Sequence, residues 1–73
     1  MADKETFPLT ELVAEARREL LMRNQIYPRM IREETLAPLT AERRIALQEA
    51  IVATLAALLG LEEGQQELFG GPA

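Results

Sequence analysis

The chain has 73 residues, of which 48% are apolar and 27% charged, and its formal net charge is −4. This length allows one domain, and a chain so short buries only about 60% of its unfolded surface, so it is marginally stable alone. It contains no cysteine and no histidine, which excludes a disulfide framework, the usual zinc sites and the common catalytic triads. We therefore expect a non-enzymatic protein without metal or cofactor, for which self-association is the remaining means of stabilisation.

The first predicted element is a helix from Pro8 to about Glu33. Pro8 suits a first turn, where its missing N–H is not needed. Pro28 lies well inside the helical pattern and removes the donor to the carbonyl of Asn24, so we expect the helix to kink or end there. The apolar residues of this helix recur three and four positions apart; they are Leu9, Leu12, Val13, Ala16, Leu20, Tyr27, Met30 and Ile31.

A loop is predicted next, over Glu33–Leu39, because Pro38 restricts the residue before it to extended conformations. The second helix is predicted from Ala41 to Leu59, with Thr40 as its N-cap and Gly60 as the left-handed residue beyond its end. A loop of this length permits an antiparallel hairpin. The predicted fold class is therefore all-α, a two-helix hairpin domain over residues 1–60.

The second helix is too apolar for a two-helix protein, since Ala50–Leu59 has one polar residue in ten. A helix that is apolar all round must be covered all round, and one partner helix covers only one side. We expect another copy of the chain to cover the other side; the alternative is that the tail or the N-terminal residues fold over it. The predicted oligomer interface consists of Ile51, Val52, Leu55, Leu58 and Leu59.

The same apolar segment is shorter than the roughly 20 residues that a membrane span needs. The N-terminal residues Met1–Glu5 lack the basic start and apolar core of a signal peptide. These two observations predict a cytoplasmic protein that does not contact a membrane.

Residues 61–73 are predicted to form an acidic C-terminal tail that is mobile or only weakly helical, because they are rich in Glu, Gln and Gly and contain no base. Gln65, Leu68 and Phe69 fit the pattern Gln-x-x-Leu-Phe, which resembles the short peptide that docks on the bacterial DNA sliding clamp. The resemblance implies binding to a host protein. The alternative is that Leu68 and Phe69 fold back on the apolar side of the second helix.

The apolar stripe of the first helix is interrupted at Arg23 and Asn24. One interpretation is structural: Arg23 pairs with Glu19 and Arg29 pairs with Glu33, four residues apart in each case. The other is a site for a small anionic ligand, in which guanidinium groups bind phosphate or carboxylate and a tyrosine ring stacks on a base. The candidate ligand-binding residues are Arg23, Asn24, Tyr27, Arg29 and Arg32.

The charge distribution favours an anionic ligand. The segment Arg17–Arg44 contains seven arginines and four glutamates, a balance of plus three. That balance is too small for direct nucleic-acid binding, which usually requires a strongly basic face.

Two runs of residues carry a resemblance to a known group of proteins. Arg18–Arg23 and the tetrad Ile26-Tyr27-Pro28-Arg29 precede a second helix that contains Ile45 and Leu47–Ile51. Over residues 11–59 this pattern resembles small uncharacterised helical-hairpin proteins of bacteriophages and prophages, which share a Met-Arg…(Ile/Val)-Tyr-Pro-Arg motif. Those proteins usually have a glycine in the loop, whereas Glu33-Glu34-Thr35 has none.

The resemblance implies a phage or prophage origin and a location in the cytoplasm of a host bacterial cell. Small oligomeric helical phage proteins include sponges, anti-defence proteins that sequester the nucleotide signals of bacterial immunity. By this analogy we expect a homo-oligomeric protein that captures a small anionic ligand such as a nucleotide signal. The alternative is an inhibitor or adaptor that acts on a host protein, such as the sliding clamp.

Overall fold

The computed structural model describes residues 5–69, with side-chain environments through Gln65, and contains two helices, α1 (Leu9–Arg32) and α2 (Pro38–Phe69). The helices pack against each other. Arg23 reaches the backbone of Arg44, and Gln48 reaches the backbone of Ala16. Residue numbers thus rise along one helix as they fall along the other, and the predicted all-α antiparallel hairpin is confirmed.

Helix α1 has nearly the predicted bounds but does not end at Pro28. It begins directly after Pro8, whose carbonyl accepts the N–H groups of Glu11 at 3.0 Å and Leu12 at 3.2 Å. It then continues through Pro28 to Arg32, so the predicted end at the proline is wrong. Asn24 and Pro28 are both exposed, so water can reach the carbonyl that the proline leaves without a donor.

The end of α1 forms a Schellman motif. The N–H of Glu34 binds the carbonyl of Ile31 at 3.0 Å, and the N–H of Thr35 binds the carbonyl of Met30 at 2.9 Å. This motif needs a left-handed residue just past the helix, a position usually taken by glycine. Here Glu34 occupies it, with φ of 59°.

Helix α2 begins earlier than predicted. Its first residue is Pro38, and the N–H of Ala41 binds the carbonyl of Ala37 at 3.0 Å. The predicted N-cap at Thr40 and the predicted loop to Leu39 are therefore wrong. Proline suits the first helical position, and its steric effect on the preceding residue produces the extended backbone that an N-cap adopts.

Helix α2 also ends later than predicted. It runs through Gly60 and Gly64 to Phe69, and neither glycine has positive φ. The predicted helix end at Gly60 is wrong because a helical glycine costs only about 1 kcal/mol, and good helix formers surround both glycines. The boundary predicted between hairpin and tail thus lies inside a helix, and residues 70–73 lie outside the described range.

The core of the hairpin is small. Tyr27, Leu36 and Ala41 form a buried cluster where the loop joins the helices. Val13 and Ala16 are the other buried apolar residues of the described range, in which no side chain is less than 2% exposed. The contacts between α1 and α2 alone therefore provide little hydrophobic stabilisation.

Candidate functional site

Arg23 connects the two helices. Its Nε donates a hydrogen bond to Oε1 of Glu19 at 2.9 Å, and its Nη1 donates to the backbone carbonyl of Arg44 at 3.0 Å. The pairing with Glu19 is the one expected from the structural interpretation of the sequence. An anion bound by Arg23 would have to compete with a carboxylate and a carbonyl that already accept its hydrogen bonds.

Tyr27 belongs to the core of the hairpin. Its side chain is 9% exposed and lies in the cluster with Leu36 and Ala41, against which Met30, Ile31 and Ile45 also pack. A ring in this position stabilises the junction of helix and loop. Stacking of this ring on a base would require the junction to open.

A hollow of about 500 Å³ lies beside Tyr27 between the helices. Asn24 lines it from α1, and Glu42 and Glu49 line it from α2. Asn24 and Tyr27 are therefore brought together, as the ligand hypothesis expects. The charged side chains of the hollow are both acidic, so its potential disfavours an anion.

Arg29 and Arg32 lie elsewhere on α1. Successive helical residues are turned by about 100°, so Arg29 points about 160° away from Tyr27 and Arg32 about 140° away. Arg29 Nε donates to Oε1 of Glu33 at 3.0 Å, and both of these side chains are largely exposed. The structure thus does not bring the five candidate ligand-binding residues to a single site.

Another depression, of about 560 Å³, lies along the first turns of α1. Phe7, Leu12, Glu15 and Arg18 line it, and Arg18 is hydrogen-bonded to Glu15. This hydrogen bond, together with the nearby carboxylate charge, raises the pKa of the Arg18 guanidinium above its ordinary value. Both partners of the pair are exposed, so it is a surface ion pair with little influence on stability.

Gln48 is a structurally important residue that the sequence analysis missed. It is 5% exposed, and its Nε2 donates a hydrogen bond to the carbonyl of Ala16 at 3.0 Å. A signal was present in the sequence. Gln48 is the one polar member of a stripe on α2 with spacings of four and three residues, formed by Ala41, Ile45, Gln48, Val52, Leu55 and Leu59.

A second stripe runs along α2 about 120° around the helix from the first, and we name it the apolar face of α2. Its large side chains are all exposed: Leu58 at 46%, Ile51 at 48%, Leu47 at 51% and Leu61 at 67%. Thr54 completes the stripe, and its spacings of four and three residues are those of a coiled-coil seam. The only charged residue between Leu47 and Leu61 is Glu49, which lines the hollow on the other side of the helix.

The predicted interface residues divide between these two stripes. Ile51 and Leu58 belong to the apolar face of α2. Val52, Leu55 and Leu59 are half-buried and share the stripe of Gln48, which faces α1. Residues 50–59 therefore belong to two surfaces of the helix rather than to the single interface predicted from their composition.

By length and composition alone, α2 qualifies as a membrane-spanning helix. An 18-residue window within Pro38–Gln65 has a mean hydropathy of 1.6, and 6% of that window is buried. Residues 50–59 alone are too short for a membrane span, but the whole of α2 is long enough. The expectation drawn from the shorter segment is therefore wrong for the helix. A core helix of a soluble protein passes the same test, so the composition of α2 is compatible with a covering of protein as well as of lipid.

The clamp-like motif lies at the end of α2. The backbone from Gln65 to Phe69 is helical, whereas the side chains of Leu68 and Phe69 lie outside the described residues. No protein-family model, curated protein or solved structure matches the chain.

Proposed function

We propose that this protein is a non-enzymatic, homo-oligomeric binding protein assembled through the apolar face of α2. The observation that carries the proposal is the row of half-exposed leucine and isoleucine side chains from Leu47 to Leu61. Soluble monomers rarely leave a contiguous apolar surface of this kind uncovered, and such a surface usually marks an interaction site.

The small core of the hairpin supports this proposal. Ordering each residue costs about 1–2 kcal/mol in backbone entropy, and the five buried apolar residues of the described range offset little of that cost. Covering Leu47, Ile51, Leu58 and Leu61 in an oligomer would supply the missing burial.

The proposed location is the cytoplasm of a host bacterial cell, in keeping with the resemblance to phage proteins. The outer surface of α1 supports an aqueous environment, because Arg17, Arg18 and Arg29 are exposed on it. Lipid around the hairpin would leave these charges without water, which is strongly unfavourable.

The geometry favours a protein as the bound partner. Arg23 and Arg29 already donate to glutamates, and Tyr27 is buried. A helical hairpin with an apolar face is suited to an inhibitor or adaptor that binds a host protein. Replacing Leu68 and Phe69 by alanine tests the clamp specifically: capture of the sliding clamp should disappear while the oligomer persists.

Capture of a small anion, such as a nucleotide signal, is the second candidate function. The observation in its favour is that Asn24 and Tyr27 line the same hollow. Calorimetric titration with cyclic and linear nucleotides tests it, with Asn24→Ala as the variant that should weaken binding without opening the core. Absence of heat with the native chain would dismiss this candidate.

Sedimentation of three full-length chains tests the main proposal. The native chain should form a defined oligomer, and Leu58→Glu should be monomeric or unfolded because it would bury a charge in the interface. Leu21→Glu is the matched control, since Leu21 is 58% exposed on α1 and should leave the oligomer intact. A native chain that is a folded monomer at high micromolar concentration would contradict the proposal.

A further inference from the structure

Arginines precede the apolar face of α2 and glutamates follow it. Arg43 and Arg44 lie before Leu47, Glu62 and Glu63 lie after Leu61, and all four side chains are exposed. Of these, Arg44 and Glu62 are the oppositely charged residues that share one direction around the helix. They are 18 residues apart, which is five helical turns, so they lie on the same edge of the face about 27 Å from each other. Neither belongs to the ion pairs formed among described side chains, which join Arg18 to Glu15, Arg23 to Glu19 and Arg29 to Glu33.

From this arrangement we infer that α2 pairs in antiparallel orientation with α2 of a second copy, so that Arg44 of each chain lies beside the partner's Glu62. The inference rests on the proposed self-association and specifies its geometry. Two antiparallel copies of α2 are related by a two-fold axis perpendicular to the helices. This symmetry places the same edge of each helix on the same side of the contact, so both Arg44–Glu62 ion pairs form at once. A parallel pair would instead place the same edge of each helix on opposite sides of the seam, with the partner's Glu62 about 27 Å further along, so neither ion pair would form.

The same register overlaps the two helices completely. With Arg44 opposite the partner's Glu62, the two-fold axis lies at residue 53, which is within one residue of the middle of Pro38–Phe69. Leu47 then lies level with the partner's residue 59, one residue from the partner's Leu58, and Ile51 lies level with residue 55, one residue from the partner's Thr54. These are the alternating layers of an antiparallel coiled coil. A shift by one heptad would place Arg44 opposite residue 55 or 69 and lose both ion pairs.

The exposed area of the chain is sufficient for such a dimer. The chain exposes 6244 Å², about 1,700 Å² more than the roughly 4,500 Å² expected of a compact monomer of its mass. Each partner of a standard interface buries about 800 Å². Arg23 contacts Arg44 and Ala16 contacts Gln48, so residues nearer the start of α1 lie beside residues nearer the end of α2. Extended at the same rise per residue to Leu9, the first residue of α1, this alignment reaches about residue 56 of α2. The part of α2 beyond that point has no α1 beside it, and the antiparallel partner would cover it.

Charge reversal in the full-length chain tests the orientation. Arg44→Glu and Glu62→Arg should each weaken the dimer about tenfold, because each change replaces two attractive pairs by two repulsive ones. The variant with both changes should recover the native affinity, since the pairs then form with exchanged signs. Arg17→Glu is the control, because it alters net charge as Arg44→Glu does but lies on α1.

Single cysteines test the register independently, since the native chain contains none. Thr54→Cys lies near the two-fold axis and should form an intermolecular disulfide under mild oxidation. Leu47→Cys should not cross-link to itself but should cross-link when mixed with Leu58→Cys. A Leu47→Cys chain that cross-links to itself would establish a parallel pair and overturn the inference.

The outcomes separate this inference from the proposed function. An oligomer in which the double charge reversal fails to recover affinity overturns the antiparallel pair but leaves self-association standing. A native chain that sediments as a folded monomer refutes both. A chain that is monomeric in buffer and floats with phosphatidylcholine vesicles would assign the apolar face to lipid instead.

Discussion

At the residue scale, Gln48 is the polar group on which the hairpin depends most. It is buried, and its amide donates to a carbonyl of the facing helix. A buried polar group with one available partner disfavours any packing in which that partner is out of reach. Gln48 therefore fixes how α2 is placed along α1, while the apolar members of its stripe supply the contact area.

Replacing Gln48 by glutamate should strongly destabilise the hairpin. The carboxylate would be buried and would face the carbonyl of Ala16, to which it cannot donate, so we expect a loss of about 3 kcal/mol near neutral pH. Burial raises the pKa of such a carboxyl in the folded state, so the folded chain binds the proton more tightly than the unfolded chain. Stability should then recover as the pH falls through the raised pKa. Urea unfolding at two pH values measures this.

Gln48→Leu is the control for that experiment. It removes the hydrogen bond without introducing a charge, and the carbonyl of Ala16 keeps its bond within α1. Its stability should stay within about 1 kcal/mol of the native value and should not gain the pH dependence of the Gln48→Glu chain. Equal destabilisation by both substitutions would show that Gln48 acts through its shape alone.

Glu34 is the residue whose backbone conformation is least favourable. Left-handed φ costs an ordinary residue about 1–2 kcal/mol, and the Schellman motif requires it here. Glu34→Gly should relieve this cost, but glycine also gives the unfolded chain more conformational freedom, which opposes folding. The net effect should be a gain in the free energy of unfolding of about 0.5–1 kcal/mol. Glu34→Ala removes the same charge but keeps Cβ, and it should show no such gain in urea unfolding.

The sequence predicted the pairs Arg23–Glu19 and Arg29–Glu33 as the structural alternative to a ligand site, and both are present. Helical spacing alone determines these pairs, which is why they could be predicted. The contact of Arg23 with Arg44 and that of Gln48 with Ala16 join different helices. Their prediction requires the offset between helices, which local sequence does not determine.

At the element scale, glycine and proline misled the prediction of helix bounds. The sequence predicts Pro38 in the loop and a helix end at Gly60, whereas both residues are helical. Each residue is compatible with a break in a helix but does not require one, because its local cost is smaller than the gain from neighbouring helical residues. The two stripes of α2 were merged for a related reason, since composition alone does not resolve the sides of a helix.

Replacing Gly60 by alanine tests the continuity of α2 directly. A Cβ at this position meets nothing within 4 Å, and alanine in a helix interior is favoured over glycine by about 1 kcal/mol. We expect Gly60→Ala to raise the free energy of unfolding by about that amount, and Ala57→Gly, its reverse counterpart, to lower it. If Gly60 instead ended the helix in a left-handed conformation, Gly60→Ala would be destabilising.

At the scale of the whole molecule, the chain is far more extended than a globular protein of its length. Its radius of gyration is 17.1 Å, whereas about 11 Å is expected for 73 residues. The principal extents of 58 × 34 × 15 Å show that the hairpin is only one helix layer thick. A single layer cannot enclose a core, so both faces of α2 are covered only if another layer packs on it.

The concentration dependence of thermal unfolding tests the central claim, that association stabilises this hairpin. Circular dichroism of the full-length chain from low to high micromolar concentration follows the loss of helix on heating. The unfolding midpoint should rise steadily with concentration, because a folded oligomer is favoured over unfolded monomers by mass action. A cooperative transition with the same midpoint at every concentration would show that the hairpin is stable as a single chain and would contradict the claim.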